Sequence, residues 1–322
     1  MLDFITQGTK FLVVGHKDPD GDCIGSQLAL SSALRRLGKE VIPCSAGPFK
    51  RSEILPYKDR CVQHISAQDR EGARVLILDC AAPHRTGDLA EALEGLPQGI
   101  IDHHAVGDYT QGVAGVVSFI DPGAPSVTFM TLSLIEALGL IPSAEEAELL
   151  LFGLSTDTGF FRHVDEQGAP TFEYAARMIR RGASPKRVFQ QMHGNKSLNS
   201  RILMGILLTR VQPYFEGRLV LTTETYEETQ RFGLEGRDSD TLYQVLLAVA
   251  GVEALVIIRQ ETAEHCTLGL RSRNQVNVAE IAARFSGGGH KNAAGCRIRG
   301  TIEAIRPQIL SAFAPQFGDA TP

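Results

Sequence analysis

Short apolar runs alternating with amphipathic helical stretches constrain this chain more than any other feature. Phe11 to Val14, Val41 to Pro43, Val75 to Leu78 and Ile100 to Ile101 read as strands. Between the first two, Ile24, Leu28, Leu34 and Leu37 recur at helical spacing, and Gly38 follows as a helix-ending glycine. Repetition of this order predicts an α/β fold: a mainly parallel sheet with helices on both faces, where ligands gather beyond the carboxyl ends of the strands. Further helices are predicted over Pro125 to Leu138, from Ser143, where Glu146 completes an S-x-x-E capping box, and from the Ser184-Pro185 pair. Lys196 to Gln212 is a long amphipathic stretch, after which Arg218 to Thr223, Ala254 to Arg259 and Cys266 to Leu270 return to strands. The expected organisation is an amino-terminal domain over residues 1–190, a linker helix over 191–216 and a smaller mixed α/β domain over 217–317, with a frayed tail beyond Phe317.

A length of 322 residues suits two such domains, and 43% hydrophobic with 21% charged residues excludes disordered and collagenous chains. With 32 basic against 37 acidic residues the net charge is −5, so the molecule as a whole does not attract long polyanions. The six cysteines are scattered without a C-x-x-C pair, which fits reduced thiols in the cytoplasm. The opening residues lack a signal-peptide pattern, and the longest apolar stretch, Val245 to Ile258, is broken by Gly251 and Glu253, so no membrane association is expected.

Four segments carry the chemistry. After the first strand comes Gly15-His16-Lys17-Asp18-Pro19-Asp20-Gly21-Asp22, with His16, Asp18, Asp20 and Asp22 at alternate positions. Taken alone, a solvated acidic turn capping the next helix explains it equally well. Asp79 ends the run Leu76-Ile77-Leu78, where a lone aspartate is more often a turn residue. Asp102-His103-His104 end the Ile100-Ile101 run, and either histidine alone can be an ordinary surface residue. Asp157, within Gly153-Leu154-Ser155-Thr156-Asp157-Thr158-Gly159, falls at the carboxyl end of a helix, where its charge opposes the helix dipole and calls for a compensating cation.

Gathered in one crevice, Asp20, Asp22, Asp79 and Asp157 would repel one another unless neutralised. Two divalent cations supply +4 against −4. Imidazole and carboxylate donors without thiolate favour manganese first, with magnesium or cobalt as alternatives. A cation pair about 4 Å apart binds a phosphoryl group, activates water and steadies the leaving oxygen.

These segments, in this order, resemble the motifs of the DHH phosphoesterase family. Gly287-Gly288-Gly289-His290-Lys291-Asn292-Ala293-Ala294-Gly295 is similar to the signature of the DHH-associated substrate-binding domain. Each motif alone is weak, and five in register over nearly the whole chain are specific. The nearest subgroup is the stand-alone oligoribonuclease and pAp phosphatase type. The resemblance implies that His16 and Asp20 ligate one metal, that Asp22, His103 and Asp157 ligate the other, and that Asp79 bridges them. It also implies that Asp102 orients a ligand histidine, that His104 faces the phosphate or polarises the leaving group, and that the protein is a homodimer. Asp18 departs from the pattern and can either replace or neighbour a ligand.

In the second domain, Gly288 and Gly289 would form a backbone phosphate cradle, supplemented by His290 and Lys291, while Arg271, Ser272 and Arg273 would grip a terminal phosphate. Without the resemblance, a flexible loop and a solvated edge are the plainer readings. The expected function is a metal-dependent phosphodiesterase or phosphatase acting on short RNA or DNA oligonucleotides, dinucleotides or pAp, with the second domain closing over the substrate. A cyclic di-AMP phosphodiesterase, a RecJ-like single-strand exonuclease and a non-catalytic nucleotide sensor are the alternatives. The lack of a long basic stripe speaks against tracking along a long strand.

Overall fold

The computed structural model describes residues 1–104, 116–194, 196–273 and 275–318. The chain divides into two compact units, Met1–Asn195 and Lys196–Pro322. The tail expected to fray lies, beyond Gly318, outside the described residues. Among the described residues, no helix is long and apolar enough to cross a membrane.

In the first unit β1 (Lys10–Val14), β2 (Glu40–Cys44), β3 (Ala73–Leu78), β4 (Gln98–Asp102) and β5 (Val116–Ile120) form one sheet in the order β2-β1-β3-β4-β5. Every neighbouring pair is parallel. Alternate residues of the central strands feed two separate cores. Phe11, Val13, Leu76 and Leu78 enter one, and Leu12, Val14, Val75 and Ile77 the other. That is why these strands read as unbroken apolar runs. From β1 the chain passes to β2 on one side and then returns to β3 on the other, which makes the carboxyl ends of β1 and β3 the topological switch point. His16 follows β1, Asp79 follows β3, and Asp102 closes β4.

The helices of this unit are α1 (Leu2–Gln7), α2 (Gly21–Arg36), α3 (Ala67–Arg70), α4 (Ala90–Leu93), α5 (Val127–Ala137), α6 (Ala144–Asp157), α7 (Ala169–Arg180) and α8 (Pro185–His193). The capping box at Ser143 and Glu146 forms, and Glu146 does more than cap. Wholly buried, its carboxylate accepts the Ser143 N–H at 2.8 Å, the Ser32 hydroxyl at 2.7 Å and the Arg36 guanidinium at 2.7 Å. One acid thus ties α6, which carries Asp157, to α2, which carries Asp22.

The second unit holds α9 (Leu198–Thr209), α10 (Tyr226–Phe232), α11 (Ser239–Leu247), α12 (Val278–Ala283) and α13 (Ile302–Phe317). Its strands are β6 (Gln212–Tyr214), β7 (Leu219–Glu224), β8 (Ala254–Thr262), β9 (His265–Ser272), β10 (Gly288–His290) and β11 (Ala293–Arg299), in the sheet order β10-β11-β9-β8-β7-β6. Only β7 and β8 run parallel. The segment expected as a linker helix over 191–216 is not one helix. It holds the end of α8, then α9 begun afresh by the Ser197 cap, then the edge strand β6. Leu203 and Leu207 of α9 are buried with Val220, Leu255 and Ile257, so the apolar face of this helix is matched by the second sheet.

Glu146→Ala leaves the Arg36 guanidinium and the Ser143 N–H without their acceptor and should destabilise the first unit by about 2–4 kcal/mol. Urea unfolding checks this, and Glu146→Gln should lose less because it keeps an acceptor oxygen.

Candidate metal centre

Asp79 is the pivot of the site. Its N–H donates to the Ile101 carbonyl at 2.9 Å, prolonging the pairing with β4, while its own backbone turns to a φ of 63°. A non-glycine residue in the left-handed region costs energy and persists where its surroundings hold it. The side chain is 3% exposed. One oxygen, Oδ2, lies 3.4 Å from His16 Nε2. The other, Oδ1, lies 3.7 Å from His103 Nε2 and 3.6 Å from His104 Nδ1, and has no hydrogen-bond partner.

Backbone carbonyls fix both neighbouring imidazoles. His16 Nδ1 is 2.8 Å from the Lys17 carbonyl and His103 Nδ1 is 3.1 Å from the Ala124 carbonyl. A carbonyl only accepts, so each Nδ1 carries a proton and Nε2 is the nitrogen that faces the acids. His103 Nε2 reaches Asp157 Oδ2 at 3.2 Å. Asp157 is the last residue of α6.

Asp22 is held by the start of α5. Its Oδ2 accepts the Val127 N–H at 2.6 Å, and its Oδ1 accepts both the Thr128 N–H at 2.8 Å and the Thr128 hydroxyl at 2.7 Å. The free amides of a helix N-terminus stabilise an anion there, and Oδ2 keeps a lone pair for another ligand. Gly153 of α6 makes the room: a methyl on it would stand 2.3 Å from Thr128 Cγ2 and 2.9 Å from Asp22 Oδ1.

Among the described residues three donor groups result, with the ligand atoms of each within 4.8 Å of one another: His16, Cys23 and Asp79; Asp79, His103 and His104; Asp22, His103 and Asp157. Cys23 is a member that the sequence motifs did not single out. Asp20 stands at the margin. Its Oδ1 caps α2 through the Cys23 N–H at 3.1 Å and lies 3.9 Å from His16 Nε2, so the capping turn and the acidic cluster coexist. Asp18 is outside: half-exposed, it pairs with Lys50 at 2.6 Å. Asp102 was expected to orient a ligand histidine. Its Oδ1 instead takes the N–H groups of His103 and His104 and the Nδ1 of His104 at 2.7 Å, so the ring it orients is His104, while Ala124 orients His103.

The electrostatics follow from this crowding. Burial, with Asp157 and Asp79 adding to it, pushes Asp22 well above its ordinary value. Burial pushes Asp79 up to about 6. Burial opposes the charge on His103, but Asp157 outweighs it and lifts the ring to about 9. His16 is raised as well, the neighbouring Cys23, Asp20 and Asp79 overcoming its burial. Protons are therefore retained in place of some other positive charge. An acid with an orphaned buried oxygen, among oxygen and imidazole donors with defined tautomers, fits divalent cations.

In the second unit, Arg271 lies with its guanidinium carbon 4.2 Å from the Tyr243 ring centre, and both line an open recess with Arg259, Gly288 and Gly295. Tyr243 and Arg259 carry no motif that would have marked them. Ser272, expected to touch phosphate, is buried and its hydroxyl donates to the Val276 carbonyl at 2.7 Å. Arg273 turns to the Leu247 carbonyl at the end of α11. The glycine run is also not a loop. Gly288 to His290 form the edge strand β10, exposed and paired with β11. Gly287 and Gly289 are required because a methyl on either would come within 2.4 Å of a β11 carbonyl oxygen.

The raised values fix the sign of a pH effect. Asp79 and His103 both have folded values above their unfolded ones, so their protonated forms stabilise the fold at acid pH. That stability is lost as the pH rises through about 6 and then about 9. Chelated protein should therefore lose Tm between roughly pH 5 and pH 9, and saturating Mn²⁺ should raise Tm by several degrees more at about pH 8 than at about pH 5.5. Scanning calorimetry at the two pH values checks it.

Residues 10–154 match the DHH family, N-terminal domain, and residues 220–315 match the DHHA1 domain. The chain is 31% identical over 309 residues to the bifunctional oligoribonuclease and PAP phosphatase NrnA of Thermus thermophilus, covering 93% of this chain and 90% of that protein. An exopolyphosphatase-related protein from Bacteroides fragilis shares the fold at a TM-score of 0.81 and 23% identity, covering 98% of this chain and 95% of its own. RecJ from Thermus thermophilus, crystallised in complex with Mn²⁺, superposes at a TM-score of 0.52 and 19% identity, covering 99% of this chain and 55% of RecJ. With both domain matches in order and a relative aligned over nearly its full length, the chain belongs to the DHH family.

Proposed function

We propose that this protein is a metal-dependent hydrolase of phosphoester bonds that cleaves short oligonucleotides and pAp to mononucleotides. The observation that carries the reading is the buried Asp79, whose two oxygens face separate sets of imidazoles. Its identity to a relative named as an oligoribonuclease and PAP phosphatase supports the substrate class. Manganese is the proposed cation, supported by the oxygen and imidazole donors and by the manganese in RecJ, with magnesium or cobalt as substitutes.

His16 and Asp79 would hold one cation, and Asp79, His103, Asp22 and Asp157 the other, with Asp20 at the margin. Bound there, the cations supply neutralising charge, an activated water and a grip on the phosphoryl oxygens. The chain does the rest by positioning. The α5 amides keep Asp22 in place, and the Lys17 and Ala124 carbonyls keep two imidazoles turned inward. His104, more exposed than His16 and His103 and raised by Asp102 at its Nδ1, would use Nε2 to donate a proton to the leaving oxygen. In the second unit the Arg271 guanidinium, stacked on Tyr243, offers paired donors for a terminal phosphate, beside the exposed Gly288, Gly289 and His290.

With Mn²⁺ and pApA or pAp as substrate, the wild type should turn over and a chelator should stop it. Asp79→Asn should lower kcat by about 10³-fold or more without changing the circular dichroism spectrum. Turnover near wild type in that variant contradicts the reading. Arg271→Ala should raise KM by roughly 10- to 100-fold with a smaller change in kcat, measured by steady-state kinetics on the same substrates.

A further inference from the structure

We infer that Cys23 is a soft donor on the His16 side of the metal centre, so that this position takes thiophilic cations through sulfur while the His103 and Asp157 side offers only nitrogen and oxygen. The inference rests on the proposed metal centre and concerns a residue outside the motifs that define it. Cys23 Sγ, an imidazole nitrogen of His16 and a carboxylate oxygen of Asp79 lie within 4.8 Å of one another. Among the described residues no other cysteine belongs to such a group.

The thiol is held in place. Its backbone N–H is bound by the Asp20 cap at 3.1 Å, and one turn along α2 the Gln27 amide donates to Sγ at 3.1 Å. Gly15 leaves the space: a methyl there would stand 2.1 Å from Sγ and 2.2 Å from the Gln27 nitrogen. Cys23 is wholly enclosed, and the neighbouring Asp79 is buried with its Oδ2 3.4 Å from His16 Nε2.

Sulfur donors select thiophilic metals, whereas oxygen and imidazole suit manganese and magnesium. With manganese bound, Cys23 remains a protonated neighbour. Cadmium or zinc bonds to sulfur, and the thiol proton leaves to solvent. The position would then be open to capture by such ions, which compete with manganese for it.

The test uses the full chain and cadmium alone as probe, reading the ultraviolet charge-transfer band of a cadmium–thiolate bond. The wild type should develop the band to saturation, Cys23→Ala and Cys23→Ser should lack it, and Cys296→Ala should keep it. In competition with Mn²⁺, cadmium should bind Cys23→Ser about tenfold more weakly than wild type. Cadmium binding to the wild type without the band, or a band that persists in both Cys23 variants, overturns the inference. The electron paramagnetic resonance signal of Mn²⁺ separates the two levels. Manganese bound by wild type and Cys23→Ser without a cadmium–thiolate band removes only the role of Cys23, whereas no manganese binding by the wild type removes the metal centre and this inference with it.

Discussion

Mutual repulsion among Asp22, Asp79 and Asp157 is the constraint around which the amino-terminal unit is arranged. Two of these acids are buried, and all three come from distant parts of the chain. Collected in a low-dielectric place, they favour protonation unless positive charge is supplied. The protein supplies part of it. Asp22 takes the partial positive charge of the α5 N-terminus, and Asp79 and Asp157 take imidazoles. What remains favours added cations, because among the described residues the ion pairs shown for Asp79 and Asp157 are with histidines. Arg51 comes no nearer than 4.0 Å, and only to Asp20 at the margin.

The sheet makes such a gathering possible. Parallel strands present their carboxyl ends to one edge, and the order β2-β1-β3-β4-β5 puts the ends of β1, β3 and β4 side by side. Helices α2 and α6 then deliver Asp22 and Asp157 from the flank, joined through the buried carboxylate of Glu146. Stability and chemistry are linked here, because the same helix pair that closes the core also sets the distance between acids.

Much of this was legible in the sequence, for identifiable reasons. The central strands stand out because both of their faces are buried, leaving four apolar residues in a row. Ser143 with Glu146 and Ser184 with Pro185 mark helix starts because capping is local. The partner of Asp102 was not legible, since the choice between His103 and His104 turns on ring orientation and on the distant Ala124 carbonyl. Cys23 was missed because its closeness to Asp79 arises only when β1 and β3 pair. The burial of Ser272 was available from period-two alternation, which sets it on the face of β9 opposite to Arg271 and shared with Leu270. An amphipathic stretch such as Lys196 to Gln212 looks the same whichever sheet it packs on, so the fate of α9 could not be read locally. The glycine run at 287 to 289 is likewise the same in a loop and in a tightly paired hairpin.

The most direct measurement is anomalous scattering at the manganese edge from crystals grown with Mn²⁺. Two peaks per chain should appear, both within ligand distance of Asp79, one beside His16 and the other among His103, Asp22 and Asp157. A fully occupied crystal with no ion at Asp79, or with the three acids turned to separate places, contradicts the shared-cation centre on which the hydrolase reading stands.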